Sequence, residues 1–393
     1  MKFIFLTIPA YGHLNAMLGV AKGLVDKGHK VIIYNTKEFE AKIRGTGAEF
    51  RTPPVSIEEI DFRLMRNFFK IIEISLEMTK LVIPPLIKIV KGEKPDCILH
   101  DSLTAWGKIV GAKTNTPAVS LVPSVGINLQ VLLASGRHIF PDVIKLIKEP
   151  LRTRNFIREY FKLYRRYALK RPSLFDILSN TEKLNIIFTS RYFQPQSESF
   201  DDSFKFVGPI IYDRNEKEGL ELLINSSKQL IYVSMGTVYN DDIEFYQRII
   251  KTFADKSYRV FISTGKYINQ KKLGTIPQNI FVKRYWPQLE ILKKASLFIS
   301  HGGMNSINES LYFGVPMILF PQIQEQRINS ARVEELGAGI YYKHDLKSKI
   351  FLEKVEEVIK NSSYKSSAEK IGKTLKQAGG IDSAVNHILG YIQ

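Results

Sequence analysis

Apolar residues fall along this chain in two alternating rhythms. Short runs such as Phe3-Ile4-Phe5-Leu6, Val31-Ile32-Ile33-Tyr34 and Ala118–Val122 predict strands buried on both faces. Between them apolar positions recur at helical spacing. Leu14, Met17, Leu18, Ala21 and Val25 share one face of a helix predicted over His13–Lys27 and ended by Gly28. In the first half, strands are predicted at Lys2–Ile8, Lys30–Tyr34, Ala48–Arg51, Cys97–His100, Ala118–Val122, Asn185–Thr189 and Lys205–Val207. Phe62–Val90 reads as mostly helical, broken at Pro84-Pro85. A second series runs through Leu230–Ser234, Val260–Ser263, Ile280–Lys283, Leu297–Ser300 and Met317–Phe320, and Ser366–Gln393 reads as two helices parted by Gly379-Gly380. Strands alternating with helices, twice over, predict an α/β protein of two Rossmann-like, doubly wound parallel-sheet domains facing a cleft. Residues 1–208 make the first domain, a charged and polar linker spans 209–228, the second domain covers 229–375, and a closing helical segment covers 376–393.

In such sheets ligands sit beyond the carboxyl ends of the strands, and the chemically informative residues fall there. From Ser300 to Gln326 a strand, a glycine turn and a helix start follow one another closely. Gly302 and Gly303 let backbone N–H groups approach a diphosphate at a helix N-terminus, and His301, Asn305 and Ser306 add donors. Glu309 lies one helical turn beyond Asn305, where a carboxylate can take the two hydroxyls of a ribose. On the glycines alone the competing reading is an ordinary turn. Ser234-Met235-Gly236-Thr237 closes another strand with a hydroxyl and an N–H to offer a phosphate. Trp286-Pro287-Gln288 occupies a loop after a strand, where the indole either stacks on a base or is buried as an anchor. Glu325-Gln326 pairs an acid with an amide, a set suited to sugar hydroxyls. In the first half, His13 follows the first strand and Asp101 ends the strand that starts at Cys97, so both fall at one sheet edge. An imidazole with a carboxylate behind it is a general base with a fixed tautomer. Separately, His13 reads as a surface or capping residue and Asp101 as a helix cap. His100, one residue earlier, points to the other face by strand alternation.

These residues carry a family resemblance. Trp286-Pro287-Gln288, His301-Gly302-Gly303, Asn305-Ser306, Glu309, Gly314-Val315-Pro316 and Glu325-Gln326 resemble the signature of the UDP-glycosyltransferases, above all the bacterial macrolide-type members, and Gly12-His13, Asp101 and Ser234–Thr237 are similar too. The resemblance implies the GT-B fold, with the acceptor in the first domain, the nucleotide sugar in the second, and a closing helix that crosses back to the first. It implies His13 as the base and Asp101 as its partner. Trp286 is implied to stack on uracil and Gln288 to contact the nucleoside. Ser234, Thr237, His301, Gly303, Asn305 and Ser306 are implied to cradle the diphosphate, Glu309 to bind ribose, and Glu325 with Gln326 to contact the transferred sugar. Glu325 stands where the family most often has aspartate, and Asn15-Ala16 where it often has proline. The implied activity is inverting transfer of a hexose, glucose first, from a UDP-sugar to a hydroxyl of a hydrophobic small molecule. The UDP-sugar is a co-substrate; no cofactor and no metal are expected, since no cluster has metal-ligand spacing.

Composition adds one complication. Lys and Arg number 56 against 39 Asp and Glu, a net charge of +17. The densest stretch, 145–171, interleaves Lys145, Lys148, Arg152, Arg154, Arg158, Lys162, Arg165, Arg166, Lys170 and Arg171 with Phe156, Tyr160, Phe161, Leu163, Tyr164 and Tyr167. It reads either as an amphipathic surface for anionic membrane or as a core-facing aromatic stripe with a solvated basic back. The first reading raises a membrane-surface lipid glycosyltransferase, acting on a sterol or diacylglycerol, as an alternative; a non-catalytic nucleotide-binding accessory protein is a third. No nucleic-acid module accompanies the charge, so no nucleic-acid partner is expected. No apolar run reaches the ~18 residues of a membrane span, the opening strand lacks the cleavage pattern of a signal peptide, and the single Cys97 allows no internal disulfide. A cytoplasmic protein, peripheral to membrane at most, is expected.

Overall fold

The β-branched and aromatic runs form strands where the pattern puts them. The computed structural model describes residues 1–55, 68–167, 169–170, 172, 179–212, 228–238, 240–344, 346 and 349–393, with the side chains of 68–72 and 139–143 outside the description. Most of the expected linker, 213–227, also lies outside it, as does the start of the expected Phe62–Val90 helix. The chain divides into two units, Met1–Ile211 with Ala378–Gln393, and Tyr212–Gln377.

The first unit holds seven parallel strands: β1 (Lys2–Leu6), β2 (Lys30–Tyr34), β3 (Glu49–Arg51), β4 (Cys97–Asp101), β5 (Ala118–Val122), β6 (Asn185–Ile187) and β7 (Phe204–Phe206). Their order is β3-β2-β1-β4-β5-β6-β7. Chain order reverses between β1 and β4, which pair in register from Phe3 with Cys97 to Leu6 with His100. The crevice beyond the carboxyl ends of these two strands is the switch point of the sheet, where ligands bind in doubly wound folds. One face of the sheet is covered by a cluster in which Ile4, Ile32 and Ile98 meet Ile83, Leu86, Val90, Tyr160, Leu163 and Tyr164. Each such side chain contributes roughly 1.5–3 kcal/mol by leaving water.

One sequence expectation meets a correction here. The helix Phe68–Glu93 runs unbroken through Pro84 and Pro85. Pro84 is exposed and Pro85 only partly buried, so the prolines stand on the outer side of the helix. Val82, Ile83, Leu86 and Val90 stay buried and hold the helix to the core. The basic aromatic stretch forms the helices Gly136–Lys148 and Pro150–Arg166. Tyr160, Leu163, Tyr164 and Tyr167 are buried, with Arg158, Lys162, Arg165 and Arg166 exposed behind them, so the aromatic stripe faces the core. The helix Gly380–Ile392 begins at Gly380 with Gly379 as its N-cap, both at positive φ. It packs on the helix Tyr11–Asp26, where a Cβ at Gly23 would stand 2.6 Å from Ile381 and 2.9 Å from Val385.

The second unit has six parallel strands: β8 (Leu230–Ser234), β9 (Arg259–Ser263), β10 (Ile280–Lys283), β11 (Leu297–Ser300), β12 (Met317–Leu319) and β13 (Gly339–Tyr341). Their order, β10-β9-β8-β11-β12-β13, repeats the arrangement of the first sheet and places a switch point between β8 and β11. The sequence pattern missed β13, an edge strand of three residues that starts with glycine and leaves Ile340 and Tyr341 only partly buried.

Candidate active site

In the first unit, β1 leads through Ile8-Pro9-Ala10 into the helix Tyr11–Asp26, and Ala10 supplies no side-chain cap. His13 therefore sits in the first helical turn at the switch point. Its Nδ1 lies 2.7 Å from Asp101 Oδ2, with the carboxylate wholly buried and the imidazole 21% exposed. Asp101 ends β4 and its other oxygen, Oδ1, accepts the Leu103 N–H at 2.8 Å. Its carbonyl accepts both the N–H and the Oγ1–H of Thr104, at 2.8 and 2.7 Å. The carboxylate is thus fixed in orientation, with one oxygen for the turn and one for the imidazole. A carboxylate only accepts, so Nδ1 donates and the lone pair of a neutral His13 falls on Nε2. That is the state a general base requires.

His100 does point to the opposite face, as alternation predicts. It is fully buried, its ring occupies the space left by Gly107, and Nε2 lies 3.3 Å from Glu182 Oε1. Leu103, directly beside Asp101, is 49% exposed, an apolar surface at the mouth of the dyad that sequence reasoning passed over.

In the second unit the expected donor residues gather at the β8–β11 switch point. Ser234 and Ser300 are register partners at the strand ends. Gly236 and Gly302 adopt φ of +79° and +82°, a region open to glycine without strain. His301 lies between the two glycine turns. A Cβ at Gly236 would stand 2.6 Å from its Nε2, and one at Gly303 would run into the same atom. Burial pushes the His301 imidazole down to about 4 against the small opposing effect of its bond to the Ser234 backbone. It is neutral at pH 7 and acts there through an N–H dipole rather than a full charge. The helix Met304–Tyr312 follows with no side chain capping its first N–H groups. These groups and the helix dipole suit an anion. Asn305 and Ser306 lie in its first turn, and Thr237 is partly exposed after β8.

Gln288 Nε2 donates to Glu309 Oε2 at 2.6 Å, so the expected nucleoside and ribose contacts are joined directly. Glu325 is partly exposed at the start of the helix Gln324–Glu335. Gln326 is buried and its Oε1 accepts the Gln322 N–H at 2.8 Å, pinning the loop after β12.

Trp286 lies in the loop after β10. It is 7% exposed, its indole N–H donates to the Phe281 carbonyl at 3.3 Å, and its edge packs on Phe261. Lys283 Nζ lies 4.1 Å from the ring centroid. An indole placed this way anchors the loop. Tyr285 is the exposed neighbour, at 49%. Among the described residues no three His, Cys, Asp or Glu side chains are grouped to hold a metal ion, and no helix is long and apolar enough to cross a membrane.

Comparison with known proteins bears on this arrangement. The profile of the family described as UDP-glucoronosyl and UDP-glucosyl transferase matches residues 99–385. The chain is 35% identical over 392 residues to the NDP-glycosyltransferase YjiC of Bacillus subtilis (strain 168), covering 99% of this chain and 96% of that one. It is 26% identical to the demethyllactenocin mycarosyltransferase of Streptomyces fradiae, covering 99% and 86%. Among solved structures, the calicheamicin glycosyltransferase CalG4 superposes with a TM-score of 0.84 at 22% identity, covering 100% of this chain and 98% of that chain, a likeness of fold.

Proposed function

The chain belongs to the UDP-glucoronosyl and UDP-glucosyl transferase family and has the two-domain GT-B fold of glycosyltransferases; from that premise we propose that it transfers a hexose, glucose first, from a UDP-sugar to a hydroxyl of a hydrophobic small molecule, with inversion at the anomeric carbon. The observation that carries the reading is the 2.7 Å pair of His13 and buried Asp101. His13 Nε2 takes the proton of the acceptor hydroxyl as its oxygen bonds to the anomeric carbon. The bond from that carbon to the diphosphate oxygen breaks in the same displacement, which inverts the centre through an oxocarbenium-like transition state. Asp101 stabilises the imidazolium so formed. Negative charge collects on the departing UDP. The Gly302–Gly303 turn, the helix start at Asn305 and Ser306, the Ser234–Thr237 segment and the His301 dipole stabilise it without reorganising.

Gln288 and Glu309 would hold the nucleoside, Glu325 and Gln326 the sugar, and Tyr285, in place of Trp286, the base. The exposed Leu103 beside Asp101 supports an apolar acceptor. Relatives named for demethyllactenocin and oleandomycin support a natural-product hydroxyl. Incubation with UDP-glucose, other UDP-sugars and an acceptor panel, followed by mass spectrometry, tests the reading; absence of any sugar adduct across the panel would sink it.

A second reading, transfer to a lipid at an anionic membrane, now draws only on Ile147 and Leu151, 71% and 73% exposed where the two basic helices join. Failure to pellet with phosphatidylserine vesicles at low salt removes it.

A further inference from the structure

We infer that Asn329 is a positioning residue that ties the diphosphate turn to the sugar-reading carboxylate, so that leaving group and sugar are aligned by one buried amide. The inference rests on the donor-site reading given above. Asn329 lies on the helix Gln324–Glu335, fully buried beneath the turn after β11. Its Nδ2 is 3.3 Å from the Gly302 carbonyl oxygen and 3.3 Å from Glu325 Oε1. An amide nitrogen carries two hydrogens, one for each acceptor.

The geometry has a directional consequence. In a trans peptide unit the carbonyl and the following N–H point in opposite directions. Holding the Gly302 carbonyl against Asn329 therefore turns the Gly303 N–H away from the helix, outward into the cradle. The same nitrogen fixes one oxygen of Glu325 and so the rotation of its carboxylate. The fit under the turn is close, since a Cβ at Gly302 would run into Ser330 Oγ and stand 3.1 Å from the Gln326 carbonyl. Asn329 Oδ1 and Ser330 Oγ are themselves buried without a hydrogen-bond partner. Unsatisfied buried polar atoms cost stability, and an apolar side chain at 329 would serve packing better. The amide is explained by what its nitrogen holds.

The test uses the full-length protein and compares kcat/KM for its best UDP-sugar with that for the C4 epimer of that sugar. Asn329→Ala is expected to lower kcat and to reduce this discrimination about tenfold, as an interaction between contacting groups would. Adding Glu325→Gln to Asn329→Ala should then cost no further discrimination, because both act through one carboxylate. Should Asn329→Ala not fold, Asn329→Asp carries the test, keeping the volume and losing the donor. Unchanged discrimination in either variant, or losses that multiply in the double mutant, would overturn the inference. Wild-type protein that transfers no sugar and binds no UDP would instead overturn the donor-site reading itself.

Discussion

Replacing Asp101 by asparagine preserves shape and reverses the chemistry of the dyad. The Leu103 N–H holds Oδ1 of residue 101, so an amide there keeps its oxygen on the turn and presents its NH2 to His13 Nδ1. Nδ1 must then accept, the proton moves to Nε2, and the base loses its lone pair. Two contributions set the size of the effect: the lost bond to a charged acceptor, about 1.5–3 kcal/mol, and the new neutral bond that favours the wrong tautomer, about 0.5–1.5 kcal/mol. Together they come to about 2–4.5 kcal/mol, or a fall in kcat of roughly 30- to 2,000-fold. The assay is initial-rate transfer from a UDP-sugar to an acceptor in excess, with UDP affinity measured separately by calorimetry. UDP affinity should not change, because the donor residues belong to the other unit. A variant within about threefold of wild type in kcat would refute the tautomer argument, and an equal loss of UDP affinity would mean that the substitution had damaged the fold.

Four further outcomes follow from the structure. His13→Ala should abolish transfer while leaving UDP binding intact by calorimetry. Gly302→Ala forces a side chain into the left-handed region and against Ser330, and should cost at least ~1–2 kcal/mol of stability in denaturant unfolding. Tyr285→Ala should weaken UDP by roughly 1–3 kcal/mol, while Trp286→Phe should leave UDP affinity near wild type and lower the melting temperature; the opposite pattern would restore the indole as the base platform. His301 is neutral in the folded chain down to about pH 4 but takes a proton near 6.5 once unfolded. The unfolded state therefore binds more protons between those values, and stability falls by about 3 kcal/mol as pH drops from 6.5 to 4. Unfolding curves for His301→Gln should lack that share of the acid slope.

The fold was legible because parallel strands buried on both faces read as unbroken apolar runs, and Leu230–Ser234 and Ile280–Lys283 match residue for residue. The failures have local causes. Pro84-Pro85 reads as a break, but proline interrupts a helix only where its missing bond cannot be replaced, and on the solvent side water replaces it. In β13 too few residues were present to show a period. At the site, the residue types announced an imidazole, a carboxylate and a glycine turn, but burial decides their use, and burial is a tertiary fact. Trp286 shows this most clearly: the motif placed an aromatic in the loop, and only packing against Phe261 tells which of two adjacent rings turned inward. Asn329 was invisible for the same reason, since its partners Gly302 and Glu325 come together only when a helix passes beneath the turn.

The return of the last helix to the first unit gives the two units different histories at synthesis. Tyr212–Gln377 is one unbroken segment, whereas the first unit lacks Gly380–Ile392 until everything between has been made. That helix supports Gly23 on the same helix that begins beside His13. On the ribosome, then, Tyr212–Gln377 can finish folding first, and the helix that carries His13 is left without its backing until Gly380–Ile392 emerges.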